Sequence, residues 1–310
     1  MTDNINSKLP KEAEVVIIGV GGIVGSMLAY WLAELGQKNI IGLEKSTIIP
    51  SDIASTAHAS DFVYNTTHDK LGCWTTAFSR KFYEDNGFFL KKGGLEICRK
   101  DDDERWEELK RKVGSGKAFG TNVRLISAAE TKEKFPLIDE ESIRGSMWDP
   151  DAGLVTPRSQ DVVSFAVETA KEKGALKTFT DTPALDFEIS NGYITGVKTD
   201  KGVIKTKKVV IASGIWGPLM GKKADVPVPL MPVEHPLLFF GPLPQAQDAE
   251  DFLVYPLMRD QGNSAYVRDT GRLHGGMLEW GYYEDKEPRL VDPEDIGNPE
   301  KTMISDSMRY

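Results

Sequence analysis

Four glycines near the N-terminus form the pattern with the clearest chemistry. Gly19, Gly21, Gly22 and Gly25 follow the apolar run Val15–Ile18 and precede a stretch with the apolar spacing of a helix. A glycine turn lets the backbone approach a pyrophosphate, whose charge the N–H groups and positive dipole end of the next helix stabilise. We therefore expect this turn to bind the phosphates of a dinucleotide. The alternative is a turn that is glycine-rich for structural reasons only.

The acidic residue Glu44 supports the dinucleotide interpretation. It ends a second apolar stretch, 25 residues after Gly19, near the offset at which an acid accepts hydrogen bonds from ribose hydroxyls. An acid here disfavours a 2′-phosphate, and hence NADP, but leaves both NAD and FAD open. The glycine spacing departs from the usual Gly-x-Gly-x-x-Gly pattern. Counted forward from Gly19 and Gly21, the last glycine, Gly25, comes one residue late. Counted back from Gly25 and Gly22, the first position of the pattern is occupied by Val20. We expect this irregularity to change the phosphate contacts and not the fold.

The elements that must position these residues alternate between strands and helices. We predict strands over 15–18, 39–44 and 209–212, the first and last of them buried, and a helix over 26–35 that ends at Gly36. A strand, a glycine turn, a helix and a second strand ending in an acid are typical of a dinucleotide-binding α/β unit.

Three further segments have patterns that predict local structure. Residues 45–70 form a loop rich in Ser, Thr and Asp, and a loop of this length is usually functional. A helix with Pro157 as its first residue is predicted, and its apolar stripe consists of Val162, Val163, Ala166, Val167 and Ala170. Residues 101–104 are interpreted as the acidic first turn of another helix. A metal site there is disfavoured because consecutive carboxylates on a helix point in different directions, so we expect no metal.

The composition limits the function classes. The chain has 310 residues, 40% of them hydrophobic, which predicts two ordinary globular domains. With 38 basic and 47 acidic residues the net charge is −9, so nucleic acid is excluded as a partner. No run is apolar enough to cross a membrane, no secretory leader is evident, and Cys73 and Cys98 lack metal-binding spacing. We expect a cytoplasmic protein with no membrane partner.

Several motifs together resemble one known family. They lie at residues 18–25, 55–59, 93–96, 149–154, 212–217 and 232–235. With these motifs the chain resembles, from about Glu14 to about Pro288, the dimethylglycine/sarcosine dehydrogenase and oxidase group of FAD-dependent amine oxidoreductases. That group has the D-amino-acid-oxidase-like fold. The extra residue in the glycine turn departs from the family pattern.

The resemblance implies a fold and a domain organisation. The fold is α/β, with a discontinuous FAD/NAD(P)-binding Rossmann-like domain and a second, mainly antiparallel α+β substrate domain. We assign residues 1–90 and 151–225 to the FAD-binding domain, and 91–150 and 226–310 to the substrate domain. Family members continue with further strands and return to the flavin domain, whereas nothing after Leu290 predicts a buried strand or glycine turn. We therefore expect an incomplete substrate domain.

The resemblance implies FAD as the cofactor. The residues expected to contact it are Gly19, Gly21, Gly22, Gly25, Glu44, Lys45, Ser55, Thr56, His58, Ala59, Gly214 and Trp216. In this family the histidine at the position of His58 is bonded covalently to the 8α carbon of the flavin, which requires an unprotonated imidazole nitrogen beside the flavin methyl group. The alternative is a histidine that only forms hydrogen bonds within a polar loop.

The resemblance also assigns His235 and Tyr266 to the active site. They would assist deprotonation of the amine and orient it; the alternative is a histidine in a turn and a tyrosine in a strand without catalytic roles. Trp280, Tyr282 and Tyr283 are a candidate cage for a methylammonium group, with ordinary packing as the alternative.

The implied activity is oxidative N-demethylation of a small cationic methylated amine or amino acid such as dimethylglycine or sarcosine. Hydride would pass to flavin N5, and electrons would then go to oxygen or to an electron-acceptor protein. A complementary C-terminal chain is a further candidate partner. Three alternatives remain open: an NAD-dependent dehydrogenase, a truncated or split-gene fragment without independent activity, and another amine or amino-acid oxidase of the same fold.

Overall fold

The structure, a computed structural model, describes residues 8–235, 237–283 and 289–296. Its helices are α1 (Ile23–Glu34), α2 (Lys70–Asp85), α3 (Asp103–Ala118), α4 (Ala128–Lys134), α5 (Ser159–Glu172) and α6 (Gly217–Lys223). Its strands are β1 (Val15–Ile18), β2 (Ile40–Leu43), β3 (Phe62–Val63), β4 (Phe89–Lys91), β5 (Gly94–Arg99), β6 (Arg124–Ser127), β7 (Ile143–Asp149), β8 (Gly153–Val155), β9 (Leu176–Phe179), β10 (Ala184–Ser190), β11 (Tyr193–Thr199), β12 (Gly202–Lys205), β13 (Val209–Ile211), β14 (Leu237–Phe240), β15 (Leu257–Asp260), β16 (Ala265–Asp269) and β17 (Leu278–Tyr282).

The chain forms two compact units, each discontinuous in sequence. Among the described residues, 8–60, 158–232 and 290–296 belong to the first unit, and those within 61–157 and 233–289 belong to the second.

These bounds differ from the domain assignment made from the sequence. Residues 61–90 and 151–157, assigned there to the FAD-binding domain, lie in the second unit because β3 and β4 both pair with β8. Residues 226–232 and 290–296, assigned to the substrate domain, lie in the first unit, where the Val291 N–H donates to the Pro232 carbonyl.

The first unit is built on a parallel sheet with the strand order β13-β1-β2-β9. All four residues of β1 are buried, and they alternate between two apolar clusters, one shared with α1 and α5 and the other with the β10-β11-β12 meander. This confirms the prediction of a strand covered on both faces. The predicted burial of the strand at 209–212 is wrong, since β13 is an edge strand and only half-buried.

Helix α5 packs on one face of this sheet. Its predicted apolar stripe is confirmed, because the five residues Val162, Val163, Ala166, Val167 and Ala170 are all buried. The helix nevertheless begins at Ser159, so the prediction of Pro157 as its first residue is wrong. The physical reason is that Asp161 accepts the Arg158 N–H at 3.0 Å, which makes Arg158 the N-terminal cap.

The second unit is built on a seven-stranded sheet with the order β14-β17-β16-β15-β5-β7-β6. Only β15 and β5 pair in parallel, so the sheet is mainly antiparallel, as predicted. One face carries an apolar cluster that includes Leu95, Ile97, Met258 and Val267. The alternate residues of the same strands form the opposite face, which carries charged and aromatic residues such as Arg259 and Tyr266 and also contributes Cys98 and Leu257 to two further apolar clusters.

Two other segments bear on the sequence predictions. The acidic segment 101–104 opens α3, and the Asp102 carboxylate accepts the Arg105 N–H at 2.9 Å, which confirms its interpretation as a helix start. Helix α2 was not predicted, because its apolar residues do not face a core: only Cys73 is buried, whereas Trp74 and Phe78 are exposed.

Two global features concern the described residues only. None of their helices combines the length and the hydrophobicity that a bilayer-crossing helix needs, and no three of their His, Cys, Asp and Glu side chains are placed to share a metal ion. The prediction of a tail without a buried strand falls largely on residues 297–310, which lie outside the described residues.

Candidate functional site

A cavity of about 560 Å³ opens at the carboxyl ends of β1, β2 and β13 in the first unit. This end of a parallel sheet is where open α/β folds bind their ligands. The predicted FAD contacts that line it are Gly19, Gly22, Glu44, Lys45, Ser55, Thr56, Gly214 and Trp216. The other predicted contacts, Gly21, Gly25, His58 and Ala59, lie outside the cavity lining.

The positions of the turn are occupied by glycine for different structural reasons. Gly19 has φ of +93°, which favours glycine, and a Cβ at Gly25 would lie 2.2 Å from the Gly19 carbonyl oxygen. A Cβ at Gly21 would lie 2.5 Å from Oε2 of Glu44. Only Gly22 has room, because the nearest atoms to a Cβ there are 3.8 Å away. Gly22 is therefore the glycine whose open side faces the cavity.

Glu44 holds the glycine turn in place. The residue is 5% exposed; its Oε2 accepts the Gly21 N–H at 2.9 Å, and its Oε1 accepts the Ser46 N–H at 2.9 Å and the Ser51 hydroxyl at 3.2 Å. A carboxylate has about four acceptor positions, so one is left for a ligand hydroxyl. The extra residue of the turn thus directs the Gly21 N–H to the protein itself and not to a phosphate.

The start of α1 retains donors for an anion. The Ile23 N–H donates to Oγ1 of Thr56 at 3.0 Å. The N–H groups of Gly22, Val24 and Gly25 precede the first intrahelical hydrogen bond and have no helical partner. As at other helix N-termini, these N–H groups point outward from the start of the helix, to the position at which a phosphate would be stabilised.

Two features of the cavity wall also fit a bound dinucleotide: Ser213, which was not among the predicted contacts, and the arrangement of the predicted contacts Lys45 and Trp216. The hydroxyl of Ser213 is buried in the cavity wall and has no hydrogen-bond partner among the described residues. The ammonium group of Lys45 lies 4.7 Å from the ring centroid of Trp216, which gives one wall a flat, cationic surface. Open backbone donors, an unpaired buried hydroxyl and a flat wall together fit the ADP part of FAD.

The loop that contains His58 is one 3-10 turn, Ser55–His58. Its neighbour Asp52 has a pKa below the ordinary value, chiefly because the Ser46 hydroxyl donates to it, with a smaller contribution from His58. The carbonyl oxygens of Ala57 and Ala59 accept hydrogen bonds from Arg158, a residue that the sequence did not indicate.

The second unit brings His235 and Tyr266 together, although they are distant in sequence. Nε2 of His235 lies 3.0 Å from the Tyr266 hydroxyl oxygen. The ring of Tyr283 stacks on His235 with centroids 4.0 Å apart, and Phe62 meets the Tyr266 ring edge-on. Burial lowers the pKa of His235, opposed by a backbone hydrogen bond with Tyr282. The imidazole is therefore neutral at neutral pH.

For Trp280, the structure agrees with ordinary packing, the alternative to the candidate aromatic cage. Trp280 packs against the apolar cluster on the opposite face of the sheet, because residues alternate between faces along β17. Tyr283, which follows the strand, stacks on His235.

An arginine lies on the same face of the sheet as Tyr266. Arg259 is its direct partner in the β15–β16 pairing, and its guanidinium carbon lies 4.1 Å from the ring centroid of Tyr64. No ion pair among the described residues includes Arg259. By contrast, Arg268, two residues after Tyr266 on β16, is paired with Glu279 at 2.6 Å.

Comparisons with known proteins place the chain in a family. Residues 14–304 match the DAO family of FAD-dependent oxidoreductases, and the chain belongs to that family. Human mitochondrial sarcosine dehydrogenase is 29% identical over 89% of the chain and 29% of its own length. The mouse pyruvate dehydrogenase phosphatase regulatory subunit is 28% identical over 92% of the chain and 32% of its own length. The chain thus spans about a third of the length of these relatives or less.

A solved structure supports the same assignment. The L-proline dehydrogenase from P. horikoshii superposes with a TM-score of 0.76 at 30% identity, covering 87% of this chain and 70% of that one. The predicted family and fold are therefore confirmed.

Proposed function

We propose that the protein binds FAD in the first unit and oxidises a C–N bond of a small N-methylated amino acid such as sarcosine or dimethylglycine. The observation that carries the substrate part is the 3.0 Å pair of His235 and Tyr266. We assign the first unit to FAD and the second to the substrate. The sarcosine and L-proline in the names of two similar proteins are both secondary amino acids, which supports this substrate class.

FAD would be held by the turn and the cavity walls. The N–H groups of Gly22 and Val24 would contact the pyrophosphate, the fourth acceptor position of Glu44 would take a ribose hydroxyl, and the Lys45–Trp216 wall would flank the adenosine. When bound, FAD supplies the acceptor for the hydride that leaves the N-methyl carbon. The remaining N-methylene iminium adds water and yields formaldehyde and the shorter amine.

His235 would take the proton of the substrate ammonium. An amine must be unprotonated before hydride can leave its methyl carbon, and a neutral imidazole can accept that proton. Since burial lowers the pKa of His235, the imidazole is in the accepting form at neutral pH. The Tyr266 hydroxyl would donate to one imidazole nitrogen or to the amine and so fix the geometry.

Arg259 would bind the substrate carboxylate. It is half-buried, lies opposite Tyr266 in the pairing of β15 and β16 and is free of a carboxylate partner among the described residues. A guanidinium recognises a carboxylate with two parallel hydrogen bonds. This assignment distinguishes amino acids from simple methylamines.

We also propose that His58 forms the covalent link to the flavin. The support is the Ser55–His58 turn beside the cavity, two of whose residues line the cavity wall. Forming the bond between the imidazole nitrogen and the 8α carbon removes one hydrogen from each, so two electrons and two protons pass to an oxidant such as dioxygen.

The proposal is tested by adding substrates to the purified chain without oxygen. We expect a yellow protein whose absorbance near the flavin band falls with sarcosine, dimethylglycine or L-proline, and formaldehyde as the product of the first two. Two compounds serve as controls. Glycine has a primary amine in place of the secondary amine, and trimethylamine has no carboxylate. R259M should weaken sarcosine binding while leaving the flavin spectrum unchanged. A colourless protein that binds NAD instead would contradict the FAD assignment.

A second candidate is a flavin-binding module without catalysis. It is favoured by the similarity to a protein whose printed name is that of a regulatory subunit. Such a module would retain its flavin spectrum, yet none of the three substrates would reduce the flavin, even with the His235–Tyr266 pair intact.

A further inference from the structure

The side chain of Arg158 bridges the main chain on both sides of His58. Its Nη2 donates to the Ala59 carbonyl oxygen at 3.0 Å and, more weakly, to the Ala57 carbonyl oxygen at 3.4 Å. These two carbonyls belong to the residues directly before and after His58. The guanidinium therefore holds the peptide group that joins Ala57 to His58 and the peptide group that follows Ala59, one on each side of the histidine.

Arg158 is itself held by a rigid element. Its N–H donates to Oδ2 of Asp161 at 3.0 Å, and its carbonyl accepts the Asp161 N–H at 3.0 Å. This cap starts α5, whose apolar stripe is fully buried under the parallel sheet. The guanidinium thus extends from a fixed helix end to an otherwise irregular loop.

The front of the loop is attached separately. Thr56 accepts the Ile23 N–H at the start of α1, and the Ala57 N–H closes the turn onto the Ala54 carbonyl at 2.9 Å. Thr56 and Arg158 therefore tie the loop to two different helices, and His58 lies between the two attachments. An imidazole between two anchored peptides has few directions in which to project.

We propose that Arg158 is a positioning residue that presents His58 to the flavin for covalent attachment. This inference rests on the proposed function of His58. Attachment requires the imidazole nitrogen to be held in line with the 8α carbon, and a misplacement of about 1 Å can slow such a step by about 10²-fold. Arg158 contributes to this step without touching the flavin.

The first test measures covalent attachment after FAD is added to the flavin-depleted 310-residue chain. Acid precipitation at successive times separates attached flavin in the pellet from released flavin in the supernatant. We expect R158A to bind FAD but to attach it about 10²-fold more slowly than the wild type, and R158K to be intermediate because one ammonium group replaces part of the bridge. D161A is the matched comparison: it weakens the helix cap that holds Arg158 but keeps the guanidinium, so it should slow attachment less than R158A does.

The outcomes separate this inference from the proposed function. If the wild type binds FAD but attaches none, the role of His58 and this inference are both wrong. If the wild type attaches FAD and R158A does so at the same rate, only the role of Arg158 is wrong. Equal losses in R158A and D161A would show that α5 stability, and not the bridge, controls attachment, and would also overturn the inference.

A second measurement does not need the flavin. In flavin-depleted protein, amide hydrogen exchange at Ala57 and Ala59 reports how firmly the loop is held, because both N–H groups are bonded within the turn. We expect faster exchange at these two amides in R158A and a smaller increase in D161A, which keeps the guanidinium. Unchanged exchange in R158A would contradict the proposed bridge.

Discussion

The ring of Tyr266 lies directly over Gly281, its partner in the β16–β17 pairing. A Cβ at Gly281 would lie 1.9 Å from Cζ of Tyr266, closer than any two nonbonded carbons can approach. The absence of a side chain at Gly281 therefore lets the tyrosine lie flat on the sheet, with its hydroxyl 3.0 Å from Nε2 of His235. The geometry of the candidate active site depends on a glycine that has no reactive group.

Substitution G281A should displace the Tyr266 ring and break its hydrogen bond with His235. We expect kcat/KM for sarcosine to fall by about 10²-fold, the effect of misplacing a catalytic group, and the free energy of unfolding to fall by about 1–3 kcal/mol through overpacking. Steady-state kinetics and urea unfolding measure the two effects. G114A in α3 is the control, because a Cβ there has no atom within 4 Å. If G281A has the kcat/KM of the wild type, the position of the Tyr266 ring does not affect catalysis.

The lowered pKa of His235 predicts the pH dependence of both activity and stability. Because burial shifts it below the ordinary value of 6.5, we expect the acidic limb of the kcat/KM profile to have its midpoint below pH 6.5 and to vanish in H235Q. Y266F retains the imidazole and should keep this limb. If H235Q keeps the acidic limb of the kcat/KM profile at the same midpoint, the limb belongs to another titratable group.

The same shift has a defined sign for stability. Because the folded pKa of His235 is the lower one, the unfolded chain binds more protons at this histidine than the folded chain does. The contribution of His235 to the free energy of unfolding is therefore fully present above the unfolded pKa. It is lost as the pH falls through 6.5 towards the folded pKa. Urea unfolding of wild type and H235Q between pH 5 and pH 8 should therefore converge at low pH and diverge at high pH.

Local patterns predicted the dinucleotide unit well. The burial of β1 on both faces and the stripe of α5 follow from apolar spacing, which a sequence displays directly. The start of α5 could not be predicted from Thr156 and Pro157, because the deciding group is the Asp161 carboxylate, which caps Arg158.

Contacts between distant segments were not readable without the family resemblance. His235 and Tyr266 are 31 residues apart, and nothing in their local sequence shows that β16 and the segment before β14 meet. Arg158 lies 99 residues after Ala59, and its role depends on a helix end packing beside a loop. The sequence also could not tell which glycine of the turn is spatially required and which is open, since Gly21 and Gly22 differ only in what surrounds them.

The glycine turn provides a matched pair of substitutions. G25A places a Cβ 2.2 Å from the Gly19 carbonyl oxygen, so we expect it to destabilise the first unit by about 1–3 kcal/mol. G22A meets no atom closer than 3.8 Å and should fold normally. Because that Cβ enters the space expected for the pyrophosphate, FAD should bind about tenfold more weakly, a loss of about 1.4 kcal/mol.

Fluorescence titration of FAD and urea unfolding separate these two effects. The predicted pattern is a stability loss in G25A and an affinity loss at normal stability in G22A. Tight FAD binding by G22A would move the pyrophosphate site away from the start of α1 and contradict the assignment.

The buried pair of Glu96 and Lys112 predicts a stability effect within the second unit. The Lys112 ammonium lies 2.5 Å from Oε2 of Glu96, and the two residues are 4% and 0% exposed. K112M leaves a buried carboxylate without its cation, so we expect the free energy of unfolding to fall by about 3–5 kcal/mol. In the double variant E96Q/K112M no charge remains, and most of that loss should be recovered. K110M on the same helix removes the exposed partner of Glu107 and should cost at most about 1 kcal/mol. Urea unfolding of the wild type and the three variants tests this order of stability. If K112M is as stable as K110M, breaking the buried pair costs no more than breaking an exposed one, and the prediction is wrong.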